Sequence, residues 1–183
     1  MPTTFEHEGR LGERALKAVV FSADEIAARV RAVAAEITEA YGPTEDLLVL
    51  GLLKGSFIFL ADLVRHIHLP LQVDFIVAAS YGNQRVSSGA VELLYDPGAA
   101  VKDRAVLLVE DIVDSGTTLE RLIPLLEERG PKSLDVCALL HKRLTKLNRE
   151  PRWVGFDAPP AFLVGYGLDY SEHYRHLPYI GSL

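Results

Sequence analysis

The chain of 183 residues has the length of one domain, and its 49% hydrophobic and 24% charged residues exclude disorder. Acids exceed bases by 25 to 19, for a net charge of −6, which argues against a protein that works mainly by gripping a nucleic-acid backbone. One cysteine excludes an intrachain disulfide framework.

In chain order, residues 1–21 carry little pattern and read as an arm or an edge strand. Met1 to Arg14 is polar with mixed charge and lacks an apolar signal region. No later stretch approaches the roughly 20 apolar residues of a membrane span, so a cytoplasmic protein without a membrane segment is expected. Ser22-Ala23-Asp24-Glu25 is a capping box, and Ile26, Val30, Val33 and Ile37 come after it at helical spacing. That helix should end near Tyr41-Gly42-Pro43. The apolar run 47–53 predicts a strand buried on both faces. After Lys54-Gly55-Ser56 comes a helical pattern through Phe57, Leu60, Ala61 and Val64. His66 and His68, two apart on this predicted helix, point to different faces, and His173 and His176 lack companion cysteines, so no zinc site is expected.

Residues 73–79 predict a second strand. The polar segment 80–89, flanked by Gly82 and Gly89, is a candidate mobile loop, and 91–95 reads as a strand pairing back across it. Residues 105–109 form the cleanest buried strand; a helix carrying Leu119, Leu122, Ile123, Leu125 and Leu126 comes next and stops at Gly130-Pro131. Residues 134–140 and 162–164 predict two more strands, with Cys137 an inert buried thiol in the first. Short apolar strands alternating with amphipathic helices indicate an α/β domain with a mostly parallel central sheet flanked by helices. Ligands of such sheets bind outside the carboxyl ends of the strands.

The strand 105–109 leads directly into Glu110-Asp111-Ile112-Val113-Asp114-Ser115-Gly116-Thr117-Thr118. Acids beside buried strands lose hydration and repel one another, so their presence needs a reason. In one reading Asp114 or Ser115 caps the next helix and the other acids are solvated. In the other, Ser115, Gly116, Thr117 and Thr118 present successive amides and hydroxyls to a sugar phosphate at a helix N-terminus. Glu110 and Asp111 then face ribose hydroxyls and a hydrated cation. Neither G-x-x-x-x-G-K-[ST] nor G-x-G-x-x-G occurs, which weakens the nucleotide-hydrolase and dinucleotide readings.

Residues 109–118 resemble the signature of the type I phosphoribosyltransferases, which bind phosphoribosyl pyrophosphate. Leu52-Leu53-Lys54-Gly55-Ser56 is similar to that family's pyrophosphate loop, and Ala79-Ser80-Tyr81-Gly82 to the start of its flexible catalytic loop. The run 164–170, with 174–181, closely resembles the bacterial hypoxanthine(-guanine) branch. The resemblance implies one domain over 1–183, with a core of about 22–150 and a small purine-binding hood built from 1–21 and 151–183. It also implies transfer of a phosphoribosyl group to a 6-oxopurine with release of pyrophosphate, assisted by Mg2+.

Carried over residue by residue, Glu110, Asp111, Asp114, Ser115, Gly116, Thr117 and Thr118 bind the phosphoribosyl group. Leu53, Lys54, Gly55, Ser80, Tyr81 and Arg175 bind pyrophosphate, with a cis peptide before Lys54. Lys142, Phe162, Leu163 and Asp169 bind the purine; Asp169, Glu110 and Asp111 serve the metal; and Asp114 is the catalytic proton acceptor. A lysine offers donors only, so Lys142 matches a 6-oxo group and mismatches adenine. Thr117 differs from the residue of many relatives, and 141–151 departs from several of them. Rival expectations are another base, such as xanthine, and a nucleic-acid-binding regulator on the same fold, which the acidic balance disfavours. The resemblance further implies a homodimer or homotetramer, with no membrane and no nucleic-acid partner.

Overall fold

The computed structural model describes residues 15–42, 46–79, 92–95 and 101–183. The expected closing loop, with Ser80 and Tyr81, lies outside the described residues. Helix α1, Ala23–Tyr41, starts as its capping box dictates: Ser22 Oγ accepts from the Glu25 amide at 3.3 Å and Glu25 Oε2 accepts from the Ser22 amide at 2.8 Å. It ends at Gly42, whose φ of +67° suits glycine. Its buried stripe is Ile26, Val30, Val33, Ala34, Ile37 and Tyr41.

The central sheet has six strands. These are β2 (Leu47–Leu53), β3 (Leu71–Ala79), β4 (Glu92–Tyr95), β5 (Ala105–Val113), β6 (Ser133–His141) and β7 (Trp153–Asp157), in the order β4-β3-β2-β5-β6-β7. All neighbours are parallel except β3 and β4, the antiparallel ribbon that the 91–95 pattern predicts. The inner strands β2, β5 and β6 are largely apolar because both of their faces are covered. Leu47, Val49, Leu107 and Val109 pack with α1 and with α2 (Phe57–Val64) on one face. Leu48, Leu50, Val106 and Leu108 pack with α3 (Thr117–Glu127) on the other. Each such side chain contributes about 1.5–3 kcal/mol by leaving water. Cys137 lies in this core, where burial pushes its thiol pKa up, as an inert thiol requires.

A second sheet, ordered β1-β9-β8, joins β1 (Ala18–Phe21), β9 (Ile180–Ser182) and β8 (Leu163–Val164), all antiparallel. The predicted edge strand near residue 21 and the strand at 162–164 thus meet here, bringing the two ends of the described chain together.

Four expectations need correction. β7 pairs with β6, so Trp153–Asp157 belongs to the central sheet although it falls in the stretch assigned to the hood. β5 runs on to Val113, placing Glu110 and Asp111 within the strand and not in a loop after it. The N-cap of α3 is Gly116, at φ +76°, and neither Asp114 nor Ser115. Helix α2 stops at Val64, so His66 and His68 lie beyond it. Among the described residues no helix is long and apolar enough to cross a membrane.

Candidate active site

The carboxyl ends of β2 and β5 adjoin at the centre of the sheet, and the loops that leave them form the site. From β5, Glu110 is buried and its Oε2 finds no partner among the described residues. Burial, and then the charge of Asp111, pushes its carboxyl well above the ordinary range. The Asp111 carboxyl is pushed up to about 6, chiefly by burial; backbone amides and Arg175 pull it down, and Asp169 raises it.

Past the strand, Asp114 is 54% exposed and its Oδ2 accepts from Lys142 Nζ at 2.8 Å. Ser115 Oγ and Thr117 Oγ1 lie 2.9 Å apart, and the Thr117 amide points to Ser115 Oγ at 3.4 Å. Gly116 needs its left-handed φ, and a Cβ there would overlap Leu147. Glu110 and residues 112–119 line a cavity of about 70 Å³ at the start of α3, where first-turn amides and the helix dipole favour an anion. Two larger clefts, of about 290 and 360 Å³, lie along α3 and between α1 and α2, and neither sits at a helix start that follows a run of acids. The smaller cavity has the chemistry.

From β2, the Leu53–Lys54 peptide is cis, as the resemblance implies. Ser56 Oγ donates to the Leu52 carbonyl at 2.6 Å and is buried, so its side chain braces the turn. A Cβ on Gly55 would overlap the Asp111 carboxylate, and one on Gly167 would overlap the Gly55 carbonyl. Three segments therefore meet here only because two glycines lack side chains.

The second sheet, the segments beside its strands and the residue after β6 supply the remaining groups. Phe162 is 53% exposed and stands edge-on to Tyr170, with ring centroids 5.6 Å apart. Leu163 lies on β8, the edge strand of its sheet. Lys142 is almost buried, and its amide donates to the Val113 carbonyl at 2.9 Å. Arg175 donates through Nη1 to the Gly167 carbonyl at 2.8 Å and pairs through Nη2 with Asp169 at 2.9 Å.

The structure thus brings together Lys54 and Gly55, Asp111, Asp169 and Arg175 in one cluster, and Asp114 and Lys142 in another. Sequence reasoning missed three participants. Glu172 bonds both Lys54 and Arg175; Thr145 donates to the Ser115 carbonyl at 3.0 Å; and Leu147 packs under Gly116. None carries a local signal, because the partner that reveals each (Lys54, Ser115 or Gly116) lies far off in the chain.

Among the described residues no three His, Cys, Asp or Glu side chains form a metal cage. A hydrated Mg2+ needs no such cage: it takes one or two carboxylates and completes its shell with water and phosphate oxygens, a demand that the Asp111–Asp169 pair or the unpartnered Glu110 oxygen would suit.

The buried charge of Asp111 makes a stability prediction. Its folded pKa of about 6 lies above the ordinary 3.8, so the folded chain holds a proton that the unfolded chain has lost between those values. That contribution is fully present below about pH 4 and is lost as pH rises through about 6. Asp111→Asn should therefore melt higher than the parent at pH 8, by a margin that shrinks toward pH 4. Calorimetric scans across that range check it.

The phosphoribosyl transferase domain pattern matches residues 20–171. The chain is 45% identical over 169 residues to a hypoxanthine-guanine phosphoribosyltransferase of Bacillus subtilis, covering 92% of this chain and 93% of that one. It is 44% identical over 161 residues to a hypoxanthine phosphoribosyltransferase of Escherichia coli, covering 87% and 90%. A solved hypoxanthine-guanine phosphoribosyltransferase from Bacillus anthracis shares the fold with a TM-score of 0.87 at 40% identity, over 92% of this chain and 99% of that one.

Proposed function

The chain belongs to the phosphoribosyltransferase family, and on that premise we propose that it salvages purines, moving the 5-phosphoribosyl group of phosphoribosyl pyrophosphate to hypoxanthine and to guanine with release of pyrophosphate. The observation that carries this reading is the cavity at the start of α3, lined by Glu110 of β5 and by Asp114, whose carboxylate pairs with Lys142.

In this reading the amides and hydroxyls of Ser115–Thr118 take the 5′-phosphate, and Glu110 and Asp111 face the ribose hydroxyls. Lys54, the backbone of Leu53 and Gly55, and Arg175 hold the pyrophosphate; Ser80 and Tyr81 would cover it. Phe162 offers its exposed ring to the purine. Leu163 offers edge-strand backbone to the ring's edge, with Asp169 beside it. Asp114 accepts the proton that leaves the ring as its nitrogen attacks the sugar. Glu110, Asp111 and Asp169 would hold Mg2+, which would offset the charge of the departing pyrophosphate. Assembly as a homodimer or homotetramer in the cytoplasm belongs to the same proposal.

Base choice rests on Lys142. Charge-assisted hydrogen bonds contribute about 1.5–3 kcal/mol, so Lys142→Ala should raise KM for hypoxanthine by about ten- to a hundredfold. Steady-state rates with hypoxanthine varied at saturating donor check this; an unchanged KM removes Lys142 from oxo recognition. The reading as a whole is tested by competition among hypoxanthine, guanine, xanthine and adenine, with the donor and Mg2+ present. IMP and GMP should form. Xanthine as the preferred base would change the substrate, and nucleic-acid binding with no nucleotide formed would change the class.

A further inference from the structure

We propose that Glu172 is an internal anion that holds the pyrophosphate's place on Lys54 and Arg175, is exchanged for it when the donor binds, and thereby limits how tightly pyrophosphate is held. The proposal rests on the pyrophosphate roles given above to Lys54 and Arg175.

Neither cation is bare. Lys54 Nζ lies 3.0 Å from Glu172 Oε1, and Arg175 Nη2 lies 3.2 Å from Glu172 Oε2. One carboxylate, through its two oxygens, therefore bridges cations from two distant segments, as the oxygens at one end of a pyrophosphate would. Both contacts lower the Glu172 pKa and keep it charged.

The placement is fixed from below. The Glu172 amide donates to Asp169 Oδ2 at 2.8 Å. Ser171, Glu172 and Tyr174 have φ of +51°, +66° and +76°, values that side-chain-bearing residues adopt only where surrounding contacts impose them. The turn thus aims the carboxylate at the two cations, while Asp169 grips both the turn and Arg175.

The contact is also built to exchange. Lys54 and Glu172 are 66% and 64% exposed, so water screens their attraction. Arg175 is only 19% exposed, is anchored on the Gly167 carbonyl, and has a buried Nε that finds no acceptor among the described residues. Arg175 stays in place when Glu172 leaves, and it has donor capacity to spare. Pyrophosphate carries more charge than a carboxylate and displaces it, yet the displaced Glu172 remains close enough to repel it. Glu172 is thus a positioning residue that keeps the cations in place before binding and favours release afterwards.

Glu172→Gln keeps the shape and removes the charge. Calorimetric titration with inorganic pyrophosphate and Mg2+ should show a Kd about two- to fivefold lower than the parent's, the range an exposed ion pair allows. The Kd for IMP should not change, because its phosphate is assigned to the 115–118 turn and not to the cations that Glu172 bridges. A merely structural role would weaken both ligands together. An unchanged or higher pyrophosphate Kd with IMP binding intact overturns the proposal. Loss of both affinities overturns it too, showing that Glu172 supports the fold. Absence of pyrophosphate binding by the unaltered protein defeats the underlying site assignment, and the parent titration separates that failure from the others.

Discussion

Replacing Asp114 by Asn is expected to lower kcat by about 10²- to 10⁴-fold, the range that general acid–base catalysis contributes, while KM for both substrates stays within a few fold. Asp114 stands in the loop between β5 and α3, more than half exposed, with its carboxylate on the Lys142 ammonium. An amide has nearly the same size and still accepts from Lys142 through its carbonyl oxygen, so the loop and the purine contact survive. It cannot take up a proton at neutral pH. The purine nitrogen then attacks with its ring proton still in place, and only the chemical step suffers. Stopped-assay turnover at saturating donor and hypoxanthine decides the matter: equal kcat in variant and parent would take the proton-acceptor role away from Asp114.

Gly55→Ala should cut kcat/KM for the donor by about 10²-fold, the scale of a misplacement near 1 Å in a positioned site. The added methyl cannot be seated without a shift. It meets the Asp111 carboxylate on one side, while Gly167 already packs against the Gly55 carbonyl. Either the pyrophosphate turn moves away from Lys54's present position or Asp111 swings from the ribose side. Each change separates groups that must act on one substrate. IMP affinity should fall less, since the loop around Gly116 is not displaced. Rates measured with the donor varied, beside an IMP titration, check both halves. A loss of less than threefold would show that the three segments have slack the packing does not suggest.

Much of this fold is legible in the chain because its signals are local. Ser22 and Glu25 cap α1, the apolar runs at 47–53 and 105–109 are the central strands, and Gly42 ends its helix. The far boundary of β5 is not legible, because apolar patterning fails there. Glu110 is buried in strand geometry although its side chain is an ionisable carboxyl, a cost that pattern reading assigns to loops. Gly116 displaces Asp114 and Ser115 as the helix cap because Leu147 leaves no room for a side chain and the backbone turns left-handed. β7 is hidden by its short, mixed sequence at the sheet edge, and only its pairing with β6 identifies it.

The site divides along the same line. The 110–118 segment is contiguous and announces itself. Lys54, Arg175 and Asp169 take meaning only from the order of several motifs. Glu172 has no such support, because a glutamate between two assigned residues looks like a solvated charge until its two cations are placed beside it.

On the proposed function, the amides of residues 115–118 grip a ribose 5′-phosphate at the start of α3. A crystal structure with IMP bound tests it most directly. Phosphate oxygens within about 3 Å of those amide nitrogens, with the ribose hydroxyls toward Glu110 and Asp111, are the predicted result. Nucleotide density elsewhere on the protein, with the turn unoccupied, would contradict it.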